Sequence, residues 1–311
     1  PQLMSTAYHV PVLFDAALDG LALQPGGTYV DCTFGGGGHS RGILNALGAG
    51  GRLFGFDCDP DALPNVPADD RFTLIPENFR YAANFLKVHG VTQVDGILAD
   101  LGVSSHQFDA EGRGFSTRGD GALDMRMDPR LPEGADGLIQ RMDQKELTQL
   151  FRNYGELPQP HRAARALHSA IAADGKEGIS STRRLQDILG PLAPPQKRNQ
   201  YLAQAFQALR IAVNDELGAL SELLKASLKL LKPGGRLVVI SYHSLEDRMV
   251  KRFMRAGNLD GVIAKDFHGR SLAPFDKVTG KALVATPEEM ETNPRSRSAR
   301  MRVAARNAMA A

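Results

Sequence analysis

Two hydrophobic periods alternate along this chain. Short apolar runs at residues 28–34, 52–57, 72–76, 94–101 and 235–243 predict strands, and amphipathic segments at 40–47, 80–88 and 245–256 predict helices beside them. Such alternation predicts an α/β fold on an open, mostly parallel, doubly wound sheet. The rhythm breaks after Leu101. Residues 102–129 are rich in glycine (Gly102, Gly112, Gly114, Gly119, Gly121) and carry no period; a connection this long in a compact domain belongs to a functional lid or a linker. Helical patterns follow at 144–154, 160–173 and 181–189. Then Leu202, Phe206, Leu209, Val213, Leu217, Leu220, Leu224, Leu228 and Leu231 form one apolar stripe at helical spacing. The stripe predicts one bent helix or two abutting ones with Gly218 as the joint, and it could support pairing of two copies as a homodimer. Lys232-Pro233-Gly234-Gly235 ends it and turns the chain into the last strand. The expected organisation is a discontinuous sheet domain, residues 1–105 and 214–311, interrupted at 106–213 by a loop and an inserted all-helical domain.

Composition narrows the class. The 311 residues are 42% apolar and 23% charged, ordinary for a globular protein. A chain of this length buries about three quarters of its unfolded surface, enough for two domains. No apolar run approaches the roughly 20 residues that span a bilayer, and no basic segment followed by an apolar stretch opens the chain. Cys32 and Cys58 are too few for a disulfide framework or a zinc site. The cytoplasm is the expected compartment, without membrane association. The net charge of +2 hides an asymmetry: residues 1–150 carry −9 and the remainder +11. The basic half could meet phosphates or be a solvated surface, and charge alone does not choose.

The candidate chemistry gathers at the carboxyl ends of the predicted strands, where open parallel sheets bind ligands. Asp31-Cys32-Thr33-Phe34 leads into Gly35-Gly36-Gly37-Gly38-His39-Ser40, four consecutive glycines between a strand and a helix. Without β-carbons the backbone can lie against a ligand, and the helix start adds unpaired N–H groups that suit an anionic group. Asp57 ends the next strand at the position of a carboxylate that binds ribose hydroxyls. Asn78-Phe79 offers a ring face to a purine or simply packs at a strand end. Asp100 closes the fourth strand and Tyr242-His243-Ser244 the fifth. The dinucleotide fingerprint fails in both registers, since Ser40 and Arg41 occupy its last glycine. Glycines followed by two strand-end acids suit S-adenosylmethionine better.

Nine segments in order resemble one known family. They are His9-Val10-Pro11-Val12-Leu13, the 31–40 turn, Asp57-Cys58-Asp59-Pro60, residues 95–105, Arg113-Gly114-Phe115-Ser116, residues 123–128, residues 206–211, residues 241–248 and Asn293-Pro294-Arg295-Ser296-Arg297-Ser298. The chain is similar through them, from about residue 8 to 305, to the bacterial 16S ribosomal RNA (cytosine-N4)-methyltransferases. The resemblance implies a class I S-adenosylmethionine-dependent methyltransferase fold, Rossmann-like, with the helical insertion recognising substrate. It implies S-adenosylmethionine as methyl donor, a decoding-region cytidine of 16S rRNA in the small ribosomal subunit as acceptor, and no metal. Cofactor contacts carried over by position fall on Gly37, Gly38, His39, Asp57, Phe79, Asp100 and Gln107, with Gly35 opening the same turn. His106 and Ala122 stand where the family often has proline.

Two candidates for the chemistry are Asp100, whose carboxylate or whose neighbour's carbonyl (Leu101) could accept an amine hydrogen, and His243, which could move a proton or merely cap the following helix. A cysteine nucleophile is disfavoured because Cys32 and Cys58 sit with the cofactor residues. Asp124, Arg126, Phe115 and Tyr242 are candidates for gripping the base. Arg162, Arg165, Arg183, Arg184, Lys197 and Arg198, with Arg295, Arg297, Arg300, Arg302 and Arg306 of the tail, are candidates for phosphate contacts. The competing readings are a catalytically silent RNA-binding protein and an amino-methyltransferase acting on DNA or protein.

Overall fold

The structure is a computed structural model that describes residues 11–175 and 179–308; His9 and Val10 of the first motif lie outside them. Seven strands form one sheet: β1 (Thr28–Asp31), β2 (Arg52–Phe56), β3 (Phe72–Ile75), β4 (Val94–Asp100), β5 (Leu231–Ser241), β6 (Phe275–Lys277) and β7 (Arg300–Arg306). Their order is β3-β2-β1-β4-β5-β7-β6. The pairs from β3 to β5 are parallel, and β7 runs antiparallel to both β5 and β6. The order reverses between β1 and β4, so the connections leaving these two strands diverge and open a crevice at their carboxyl ends.

Alternate strand residues feed two apolar layers, as the two-residue period requires. Phe54, Phe56, Ile97 and Leu237 face the helices Ala82–Val88 and Ser244–Ala256 together with Leu220, Leu223 and Leu224. Tyr29, Leu53, Leu98 and Val238 face the helices Phe14–Leu21 and Gly38–Ala46. The sheet is therefore covered on both sides, which is why its strands read as nearly continuous apolar runs.

Three details differ from the sequence expectation. β1 ends at Asp31 rather than at residue 34, although Cys32 N still donates to Leu98 O at 2.8 Å and Phe34 N to Phe56 O at 3.0 Å. β5 already starts at Leu231, opposite Val94, and the Pro-Gly-Gly turn is absorbed as a register shift before Arg236 pairs with Gly96. β6 and β7 were not anticipated. Met301 and Val303 of β7 insert into the sheet core, but alternation with arginine makes the segment read as a basic tail.

The chain divides into two compact units. One comprises the residues up to Gly102 and those from Gly218 onward, and the other is Val103–Leu217. In the second, the helices Ala135–Arg141, Gln144–Asn153, Pro160–Asp174, Thr182–Leu189 and Arg198–Asn214 enclose a core that includes Leu147, Phe151, Leu167, Leu185 and Leu209. Asp143 and Glu146 form a reciprocal capping box that starts one of these helices. The apolar stripe is two helices, Arg198–Asn214 and Glu216–Leu230, joined at Asp215 in the left-handed region (φ 46°) rather than at Gly218. Its residues are used internally: Leu202, Phe206 and Leu209 in one core, Leu220 and Leu224 in the other.

The glycine-rich segment is pinned. Buried Asn214 accepts from Met127 N (2.7 Å) and donates to Met125 O (2.7 Å). Arg126 clamps Asp124 (2.7 Å) and the Leu131 carbonyl (2.8 Å), and Phe115 is buried in the helical core. These three side chains, expected to grip a base, build the segment itself. Among the described residues, no helix is long and apolar enough to cross a membrane.

Candidate active site

The glycine turn is held from both sides by carboxylates. Asp31, buried at the end of β1, accepts from Thr33 N (3.1 Å) and from Ser40 Oγ (2.7 Å), tying the turn to the first turn of the helix beyond it. Asp57, just past β2, accepts from Gly35 N (2.7 Å) through one oxygen and from Asp59 N (2.9 Å) through the other. Gly37 has φ 71°, where a β-carbon is strained, and a β-carbon on Gly38 would lie 2.3 Å from Pro11 Cγ. Gly36 is different. A β-carbon there would meet nothing within 4 Å, so the α-carbon side of this residue is open to a ligand, while Arg41 holds its carbonyl at 2.6 Å.

Asp100 ends β4 beside the turn. Its amide donates to Thr33 Oγ1 (2.8 Å), and its Oδ1 accepts from the Tyr242 hydroxyl (2.7 Å). Its Oδ2 lies 3.8 Å from Nδ1 of His39, whose Nε2 is 3.2 Å from Val12 O. A carbonyl only accepts, so Nε2 carries a proton, and Nδ1 is the nitrogen that faces the carboxylate. These contacts gather residues from the ends of β1, β4 and β5 and from the glycine turn. Thr33 and Ser40 are part of it although sequence reasoning did not single them out; their signal is a hydroxyl on either side of a glycine run that follows a strand-end acid.

Electrostatics mark the two strand-end acids. Burial pushes Asp57 up to about 6, against the two amides that favour its charged form. Burial likewise pushes Asp100 up to about 6, opposed by His39 and by the Tyr242 hydroxyl. Both are ionised at neutral pH with an incomplete set of partners, which suits hydroxyl or amine donors on a ligand. Burial and the adjacent Asp100 push the Tyr242 phenol well up, so it remains a donor. Cys32 is buried, and desolvation raises its thiol well above the ordinary range, which fits packing.

Phe79 is half-buried in a short turn capped by the Asn78 side chain, with its ring against the sheet core. Gln107 belongs to the second unit, where its side chain accepts from Ser104 N (3.0 Å) and its own amide donates to Ser104 Oγ (3.1 Å). His243 sits at the N-cap of the Ser244–Ala256 helix with its ring buried; Nδ1 is 3.5 Å from Glu246 N and Nε2 is 3.1 Å from Glu246 Oε1. Glu246 also accepts from Tyr242 N at 2.9 Å. His243 is thereby coupled to the residue that bonds Asp100.

The cations expected to meet phosphate have different settings. Arg302 is clamped on Asp247 (2.7 Å), and Arg306 donates to Leu228 O and Pro274 O (both 3.1 Å), so both hold the sheet unit together. Arg183 pairs with Asp120 (3.6 Å) and Arg184 with Asp174. Arg165, Lys197, Arg198, Arg297 and Arg300 are exposed.

A seven-stranded sheet of this order, with one antiparallel strand inserted next to the edge and a glycine turn after β1, defines a class I S-adenosylmethionine-dependent methyltransferase. Residues 6–307 match the model of the MraW methylase family. The chain is 52% identical over 307 residues to ribosomal RNA small subunit methyltransferase H of Amoebophilus asiaticus (strain 5a2), covering 98% of each. It is 50% identical over 300 residues to the protein of that name from Parabacteroides distasonis, covering 96% of this chain and 97% of the relative. The counterpart from Bacteroides thetaiotaomicron is 50% identical over 297 residues, with the same coverage of each. The chain belongs to the MraW methylase family.

Proposed function

We propose that this protein methylates the exocyclic N4 amine of a decoding-region cytidine in 16S rRNA of the small ribosomal subunit, in the bacterial cytoplasm, with S-adenosylmethionine as donor. Full-length similarity to small-subunit rRNA methyltransferases is the observation that carries this reading. The site fits the cofactor: the open α-carbon side of Gly36, the left-handed Gly37 and the incompletely partnered Asp57 form a cradle that side chains at these positions would fill or remove. S-adenosylmethionine supplies an electrophilic methyl group on a sulfonium.

The remaining work falls to the chain. Gly35, Gly37, Gly38 and His39 shape the turn that receives the amino-acid part of the donor, Asp57 takes the ribose hydroxyls, and Phe79 lies along the purine. Gln107 joins this set on the strength of its motif. The lone pair of a cytosine N4 is delocalised into the ring, which makes it a poor nucleophile. Asp100 accepts one amine hydrogen and draws the nitrogen toward a tetrahedral geometry, with Tyr242 holding the carboxylate in place. No strong base is needed, because the methylated ammonium is acidic. His243 acts as a positioning residue through Glu246 and Tyr242. Alignment of nitrogen and methyl within about 3–3.5 Å accounts for most of the barrier reduction, a contribution that reaches roughly 7–11 kcal/mol.

Small subunits from cells lacking the protein, incubated with methyl-labelled S-adenosylmethionine and the purified chain, test the reading. Label is expected in 16S rRNA, and Asp57→Ala is expected to abolish it. Tight cofactor binding without transfer would point to a different acceptor, and absence of cofactor binding would favour a silent RNA-binding protein.

A further inference from the structure

Between the Ser244–Ala256 helix and β6, residues 264–272 form a small hairpin held by its own hydrogen bonds. Leu272 N donates to Ala264 O (2.8 Å) and Asp266 N to Arg270 O (2.9 Å). Asp266 Oδ1 accepts from the amides of His268 (2.9 Å) and Arg270 (2.8 Å), and Gly269 completes the turn at φ 81°. The carboxylate is therefore engaged with the backbone of its own turn. Lys265 and Arg270, both exposed, have no ion-pair partner among the described residues.

The tip presents Phe267, 94% exposed, with the His268 ring centred 3.8 Å away. A phenylalanine stabilises a fold by being buried, and this one is not. A rigid turn that holds two rings in water, flanked by unpaired cations, has the make-up of a base-stacking platform with phosphate contacts at its sides. The stretch of chain that contains it is basic: residues 248–281 hold eight lysines and arginines against three acids. On the helix before the hairpin and the strand after it, Lys251, Arg255 and Lys277 line a cavity of about 50 Å³, and Arg255 reaches the Gly261 carbonyl at 2.5 Å.

From this we propose that the 264–272 hairpin is an RNA-docking element: an unpaired base stacks on Phe267 and His268 while Lys265 and Arg270 hold the flanking phosphates. The inference rests on the rRNA substrate proposed above and names a second contact with it. Cations set beside two exposed ring faces favour RNA, whose phosphates and unpaired bases meet both at once.

Full-length protein with p-benzoylphenylalanine in place of Phe267 is bound to small ribosomal subunits and irradiated. Crosslinks to 16S rRNA are expected, well above those from the same group at Val88, another site that is 81% exposed. Crosslinks only to ribosomal proteins or to a second copy, or none above the Val88 level, overturn the proposal. Phe267→Ala is expected to weaken small-subunit binding about tenfold or more, and Phe267→Trp to preserve it. Lys265→Gln with Arg270→Gln should flatten the salt dependence. Because Phe267 packs against no core, melting temperature and cofactor affinity should not change, and the loss should fall on KM. A Phe267→Ala protein that binds like wild type overturns the proposal. Methyl transfer by wild type is read in the same samples: transfer with an indifferent hairpin rejects the hairpin alone, and RNA crosslinks without transfer reject the reaction alone.

Discussion

Asp57 and Asp100 are carboxylates held where carboxylates are least comfortable. Each is pushed from its ordinary 3.8 up to about 6 by burial. Between those values the folded protein keeps protons that the unfolded chain has released, so the contribution of each group to stability falls as pH rises through this window. Asp100→Asn removes the burden while its amide oxygen can still accept from Tyr242. Thermal melts should show the variant more stable than wild type by about 1–3 kcal/mol near pH 8, with the difference vanishing near pH 4. The same variant should lose most methyl transfer; a variant with normal turnover would remove the carboxylate from the chemistry. Cofactor affinity of wild type should weaken as pH falls through about 6, because protonated Asp57 can no longer accept from both ribose hydroxyls; titration calorimetry across that range reads it. At this scale the strand-end acids were legible, since a carboxylate that stops an apolar run announces itself. The setting of His243 was not, because an N-cap histidine and a catalytic one look alike in a sequence.

At the scale of elements, the glycine turn separates folding from binding. Gly36→Ala adds a β-carbon in open space, so melting should be unchanged while cofactor affinity falls by about tenfold or more if the ligand lies on that backbone. Gly38→Ala meets Pro11 at 2.3 Å and should destabilise the fold as well. The C-terminal element behaves differently from a tail. Removing residues 295–311 deletes β7, which pairs with both β5 and β6, and should yield an unfolded or aggregated protein. Arg302→Ala strips Asp247 of a largely buried partner and should cost about 3 kcal/mol in denaturant unfolding. The strands β1 to β5 were readable because burial on both faces makes them continuously apolar. β7 was not, since its arginines sit on alternate positions and mimic a basic extension. The break at Asp215 escaped detection because a left-handed aspartate carries no glycine signature, whereas Gly218 does and is helical.

At the scale of the whole molecule, the chain holds two units with separate cores, one a sheet that carries the strand-end acids and one of helices. The interruption was legible where strand rhythm gives way to helical spacing after Leu101. The pinning of the glycine-rich segment was not, because it depends on Asn214, which is distant in sequence from the Met125 and Met127 backbone it holds. Under the proposed function the acidic and basic halves divide the work: strand-end acids of the first half take the cofactor, and exposed cations of the second are left for RNA. The most direct test of the account locates the transferred methyl. After reaction with small subunits that lack the modification, nuclease digestion and mass spectrometry of 16S rRNA should find N4-methylcytidine at a single decoding-region position, absent with Asp57→Ala. A methyl on another atom, on another molecule, or spread over many cytidines would contradict it.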